Sequence, residues 1–531
     1  MRRRTALLII LCTITLASHT HAQIPQPNST TENDPLHRAQ PSPSTAACTT
    51  DTSSSCAAIA TKILPLILGA SPMQENLRRL TDEIGGRVTG SPAMERAVQW
   101  ATSAFYAAGV DVHTEKYQLP LTWSEGDTRL ELLGEIKFPL RTVSLGWSPP
   151  TPPASPGGPG GIEANVVDIA YGTPQDFTAA GAQLKGAILL VHTDLGTTWA
   201  DLFNEYFRPP DIIERAIKAG AAAILWEGAR ERLLLYRHTN ISDGQLEKIP
   251  QAIVAREDAL RLSRTVLAYP GKIRARFSMP NKIGPPVDQE NVVAEIPGYE
   301  KSDESIILGA HLDSWDLGTG ALDNGCNAAL VIEAARALKA TGLRPRRTIR
   351  FILFSGEEQG LLGSWAYVKT HRAELDKIRG VITFDSGIGR VTGYSLGGRS
   401  DIAPAVREVL KPLDSWDVNH HTTDAQTGTD HFDFLIEGLP TLVANQDEAN
   451  YLPNYHAASD TLDKVDIREL KLNTAIAALT AWGLADRPAP LGKRLSRAEL
   501  ETLMKESGLD QQMKSMGFWH DWQQGTRGRQ P

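Results

Sequence analysis

The sequence predicts an α/β fold: a mixed, mostly parallel sheet flanked by helices, with an inserted β-rich segment. Three observations carry that prediction. From Asn291 onward short apolar runs alternate with amphipathic helical stretches. Each run ends on a carboxylate or an imidazole. Residues 306–323, IILGAHLDSWDLGTGALD, join a buried-strand pattern to a Gly-rich turn that opens a helix.

At 531 residues the chain exceeds one average core, so two domains with tails are expected. Charged residues at 22% and apolar ones at 41% describe an ordinary globular chain. A net charge of -8 supplies no basic footprint for nucleic acid and no polybasic membrane anchor.

Residues 1–22 read as an export signal. Arg2, Arg3 and Arg4 precede a short apolar run at 6–17, and Thr20-His21-Ala22 offers the cleavage site. No later run approaches the ~18 apolar residues of a membrane helix. The expected destination is periplasmic or extracellular. Residues 23–70 read as a disordered Ser/Thr/Pro-rich leader, in which Cys48 and Cys56 could close a small disulfide loop. Order is expected from Ser71, with a helix capped by Ser91-Pro92 and stopped at Gly109. A Pro/Gly run at 148–161 marks a change of character. Residues 125–283 then read as the insert; its His192, Asp194 and His238 lack ligand spacing and are read as structural. The catalytic region is 71–124 plus 284–487. Residues 488–531 form a polar tail with a helix starting at Ser496 and an aromatic end, Phe518, Trp519 and Trp522.

In open α/β sheets chemistry collects at the carboxyl ends of strands. His311, Asp313, Asp323, Glu357, Glu358, Asp385 and His456 all follow predicted strands and can meet over one sheet edge. Carboxylates with two imidazoles and no thiolate suit Zn, with Co or Mn as substitutes. Five ligands exceed the needs of one tetrahedral ion. Two ions about 3.5–4 Å apart would use them all, with Asp323 as the natural bridge. Asp313 would orient His311 from behind. One of Glu357 and Glu358 can bind metal while the other faces bound water as a general base. Cys326 reads as a small buried residue at a helix start.

HLDSWDLGTGALDN, SGEEQGLLGS, FDSG, GTDHF and NYHAASDT resemble peptidase family M28, co-catalytic zinc exopeptidases, over about 75–485. LTDEIGGRVTGSP extends the likeness, and the insert is placed like a protease-associated domain. The resemblance implies His311, Asp323 and Asp385 around one zinc and Asp323, Glu358 and His456 around the other. Glu357 becomes the acid/base, Asp313 supports from behind the ligands, and Asp430-His431 is supportive rather than ligating. It further implies peptide substrates, with dipeptides or short peptides having free ends favoured, and makes a homodimer an expectation. A glutaminyl cyclase shares this fold but works with one zinc and without the insert. A non-catalytic binding relative would have lost ligands, and none is missing.

Overall fold

The computed structural model describes residues 52–154 and 160–530. The export signal, Cys48 and the tip of the Pro/Gly run lie outside them. The central sheet has seven strands: β1 (Asp111–Leu119), β2 (Val287–Ile296), β3 (Lys301–His311), β4 (Arg347–Phe354), β5 (Ile378–Thr383), β6 (Val391–Ser395) and β7 (Thr441–Gln446). Their order is β1-β2-β4-β3-β5-β7-β6. The four inner strands β4, β3, β5 and β7 are parallel, while β1, β2 and β6 add antiparallel edges.

The period-two alternation of an inner strand divides its side chains between two apolar layers. Ile306, Leu308 and Ala310 of β3 face one layer, and Ile307 faces the other. The larger layer holds the helices α1 (Thr52–Leu68), α2 (Cys326–Ala340) and α3 (Ile467–Asp486), together with Pro92–Ala107. Ser91 caps that last helix by accepting the Met94 N–H.

Order therefore begins well before Ser71, and the expected disorder of 23–70 does not hold for 52–68. Ile59, Ala60, Ile63 and Ile67 recur at helical spacing and are buried in the main core. The Ser/Thr-rich start of α1 hides this apolar face from a compositional reading. Cys56 is a free, wholly buried thiol rather than half of an exposed loop. It packs against Gly483 of α3, where a Cβ would stand 2.8 Å from its sulfur. Burial, and then Asp486 and Glu408, pushes this thiol up to about 12.

A second sheet of eight strands is built entirely from residues 129–278. Helices Pro174–Ala180, Trp199–Phe207, Pro209–Ala219 and Arg256–Ala268 accompany it, so the segment is as helical as it is β-rich. The chain enters and leaves through a two-stranded ribbon in which Trp123 pairs with Ile283. Both sheets lie within one compact unit.

The C-terminal residues are structured as well. Helices Arg497–Ser507, Leu509–Ser515 and Phe518–Gln524 bury Phe518 and Trp522 against Phe432 and Ile436. Arg527 closes the contact through a buried, two-pronged pair with Asp433 at 2.7 and 2.9 Å. Among the described residues no single helix is long and apolar enough to cross a membrane.

His192 has a structural role in the second sheet. Its Nε2 lies 3.0 Å from Asp168 and its Nδ1 3.1 Å from Glu227, whose other oxygen meets Arg256 at 2.9 Å. Tyr171, Asp194 and Arg208 surround the cluster. Hydrogen bonds to Asp168 and Glu227 outweigh burial and raise the imidazole to about 9. A folded-state value above the unfolded one stabilises fully below about pH 6.5, and that stability is lost as pH rises through about 9. Denaturation midpoints measured across this interval should therefore fall, and His192→Asn should flatten the decline. An equally steep decline in the variant would refute the assignment.

Candidate active site

The parallel strands β3, β4, β5 and β7 end at one edge, so the residues just past them are delivered together. His311 is the last residue of β3, Glu357 and Glu358 follow β4, and Asp385 follows β5. His456 stands in the loop beyond β7, and Asp323 in the irregular turn Ala321–Gly325 that opens α2. His311, Asp313, Asp323, Glu358 and His456 are buried, while Glu357 and Asp385 are partly exposed. All seven residues singled out in the sequence are brought to this edge.

Asp323 stands between the imidazoles. Its Oδ1 lies 3.2 Å from Nε2 of His311, and its Oδ2 lies 3.1 Å from Nε2 of His456. Asp385 Oδ1 meets the same His311 nitrogen at 2.9 Å, and Glu358 Oε2 meets that of His456 at 3.0 Å. Asp323 Oδ2 and Glu358 Oε1 are nevertheless buried without an aligned hydrogen-bond partner. Buried carboxylate oxygens left without a hydrogen-bond partner beside imidazole nitrogens suit a bound cation. His311, Asp323 and Asp385 could hold one ion, and Asp323, Glu358 and His456 another. Asp430-His431 belongs to neither group, although both Asp430 oxygens are buried without a hydrogen-bond partner.

The supporting shell differs in one respect from the sequence expectation. His311 Nδ1 lies 3.0 Å from the Asp313 carbonyl but 3.6 Å from its carboxylate, too far for a hydrogen bond. The carboxylate instead accepts from Thr89 at 2.9 Å and from the N–H groups of Glu357 and Glu358, each at 3.3 Å. Asp313 thus fixes both glutamates, while its backbone orients the imidazole.

The turn carrying Asp323 is held from two sides. Asp460 accepts the N–H groups of Ala321, Leu322 and Asp323 at 3.1, 2.7 and 3.1 Å. Arg87, fully buried, donates to the carbonyls of Leu312, Thr319 and Gly320. Gly320 has a φ of +59, and a Cβ there would stand 2.3 Å from Ser314 and 2.7 Å from the Arg87 guanidinium, so only glycine fits. Neither Arg87 nor Asp460 carried a recognisable role in the sequence, because their partners lie far along the chain.

Burial pushes Glu357 well above the usual carboxylate range; Asp385 and Glu358 add to this and His311 opposes it. Glu358 is pushed up to about 7, again chiefly by burial. Burial draws the imidazoles down, but the carboxylates around them prevail and raise both His311 and His456. The cluster is a dense anionic pocket that favours a bound cation.

A cavity of about 800 Å³ opens over it. Tyr451 and Tyr455 wall one side, Phe203 and Tyr206 of the helix Trp199–Phe207 another, and Phe518 of the C-terminal segment a third. Sequence reading assigned no role to these walls.

The sequence model for peptidase family M28 matches residues 291–481. Carboxypeptidase Q of Mus musculus is 31% identical over 415 residues, covering 78% of this chain and 85% of its own. A solved peptidase M28 precursor from Shewanella amazonensis is 27% identical, with a TM-score of 0.72 over 84% of this chain and 99% of its own. A zinc aminopeptidase from Bacillus subtilis, 21% identical with a TM-score of 0.62, has the same fold over 80% of this chain and 97% of its own. The chain therefore belongs to peptidase family M28 and is a metallopeptidase, a hydrolase.

Proposed function

We propose that the protein is an exported exopeptidase that holds two zinc ions and hydrolyses dipeptides or short peptides with free ends. The sharing of Asp323 between two ligand groups, beside a glutamate that belongs to neither, is the observation that carries this reading. His311, Asp323 and Asp385 would hold one ion, and Asp323, Glu358 and His456 the other. Bound there, zinc would lower the pKa of a coordinated water and polarise the peptide carbonyl.

The remaining work falls to the chain. Glu357, facing the cavity, accepts the proton of the attacking water and delivers it to the departing amine. Asp313 keeps that carboxylate in place by holding the Glu357 and Glu358 N–H groups. Tyr455, whose ring stacks on His456 with centroids 3.7 Å apart, is the neutral donor available to the carbonyl oxygen as it gains charge. The aromatic walls take substrate side chains and exclude water from the reacting bond. The resemblance to carboxypeptidase Q over most of the chain supports small peptide substrates.

Elemental analysis of active protein should find about two zinc per chain, and a chelator should abolish hydrolysis. Full activity with one metal or none would refute the two-ion reading. Two neighbouring glutamates separate catalysis from ligation. Glu357→Gln should lower turnover by a factor on the order of 10² to 10⁴ with zinc content unchanged. Glu358→Gln should lose zinc, because a neutral amide is a poor ligand. The reverse pattern would exchange the two roles, and unchanged hydrolysis in both variants would discard the assignment.

A further inference from the structure

A hydroxyl-to-hydroxyl hydrogen bond in the cavity wall joins residues 249 positions apart: Tyr206 Oη lies 2.7 Å from Tyr455 Oη. Tyr455 belongs to the His456 loop, but Tyr206 belongs to the inserted segment, on the helix Trp199–Phe207. The anchoring of that helix is specific. Glu205, immediately before Tyr206, is buried and receives the Arg230 guanidinium at 2.8 and 3.4 Å. The same guanidinium lies over the rings of Tyr236 and Tyr455, at 4.5 and 5.9 Å from their centroids. Backbone bonds tie the loop to the same segment. The Arg237 N–H donates to the His456 carbonyl at 3.1 Å, and the Ala458 N–H to the Leu235 carbonyl at 3.0 Å. Both partners of the hydroxyl pair are thus fixed by the insert.

A phenol carries one proton and accepts through its lone pairs. When two phenols pair, one donates and the proton of the other stays free. A free proton on Tyr455 has one useful direction, into the cavity beside His456. We propose that Tyr206 is a positioning residue that donates to Tyr455 and so aims the Tyr455 O–H at the carbonyl oxygen of a bound peptide. This rests on the exopeptidase reading above and adds that the inserted segment supplies a functional part of the site. A helix that served only as a wall would change substrate binding rather than turnover.

The test compares Tyr206→Phe, Tyr455→Phe and the double variant in zinc-loaded protein. Tyr206→Phe should lower kcat about three- to tenfold, the range for one lost hydrogen bond. KM, zinc content and thermal midpoint should stay near wild type. Calorimetric affinity for a peptide phosphinate, a tetrahedral analogue, should fall by the same factor, with affinity for the product amino acid unchanged. The double variant should be no slower than Tyr455→Phe alone, because Tyr206 acts only through Tyr455. An unaltered kcat in Tyr206→Phe, a change confined to KM, or single effects that multiply would overturn the proposal. Wild-type protein that cleaved no peptide would refute the exopeptidase reading itself, and this proposal with it.

Discussion

Everything at the sheet edge depends on Asp323 presenting one oxygen to each imidazole. A buried carboxylate can do this only if its own turn makes no competing demand for hydrogen bonds. Asp460 consumes three successive N–H groups of the turn, and Arg87 consumes the carbonyls before it. The side chain is then free to face inward while these backbone groups are bonded elsewhere. The arrangement leaves a charge problem. Asp323, Glu357, Glu358 and Asp385 crowd two imidazoles, and Arg87 approaches from behind as a permanent cation. Burial draws even that guanidinium down to about 10. Bound cations at the focal points would offset the excess negative charge, and metal held by these residues would then also stabilise the folded edge.

His456 imposes a second constraint. It is not glycine, yet its φ is +58, a left-handed conformation that persists only where surrounding structure over-determines it. The surrounding structure here is the inserted segment, whose Arg237 N–H holds the His456 carbonyl and whose Leu235 carbonyl holds Ala458. Arg237 is in turn locked by Glu125 at 2.5 Å, from the second-sheet segment, and by Asp316 at 2.7 Å, from the loop after β3. Displacing the insert would release the loop that carries an imidazole. The second sheet is part of the machinery that shapes the site.

The inner strands and the groups at their ends were legible because both signals are local. An apolar run of five or six residues identifies β3 or β4, and the residue that follows it arrives at the edge by chain continuity. His311, Glu358 and Asp385 needed no long-range information. Arg87, Asp460 and Tyr206 did, since their contacts span 232, 137 and 249 positions. Such a residue looks in sequence like any solvated polar group. The helix α1 escaped for a different reason. Its first residues are Thr and Ser, continuing the composition before them, and its buried stripe of Cys56, Ile59, Ala60, Ile63 and Ile67 begins only afterwards. The tail was read as polar because its exposed faces outnumber the few large residues, Phe518 and Trp522 among them, that bury it.

The cavity's construction also bounds what can enter. Its floor is charged and its walls are aromatic, drawn from the His456 loop, the insert helix and the C-terminal segment. Three separate stretches must pack before it closes, and each is anchored by its own buried contact: Tyr455 on His456, Arg230 on Glu205, and Arg527 on Asp433. A space of about 800 Å³ lies within the range of small-molecule sites and is far too small for a folded protein chain. Enclosure lowers the local dielectric and strengthens every charge interaction on the floor. Partial enclosure by these walls also makes the charged groups of the floor more effective. The same aromatic walls therefore bound the space over the charged floor and strengthen the field within it.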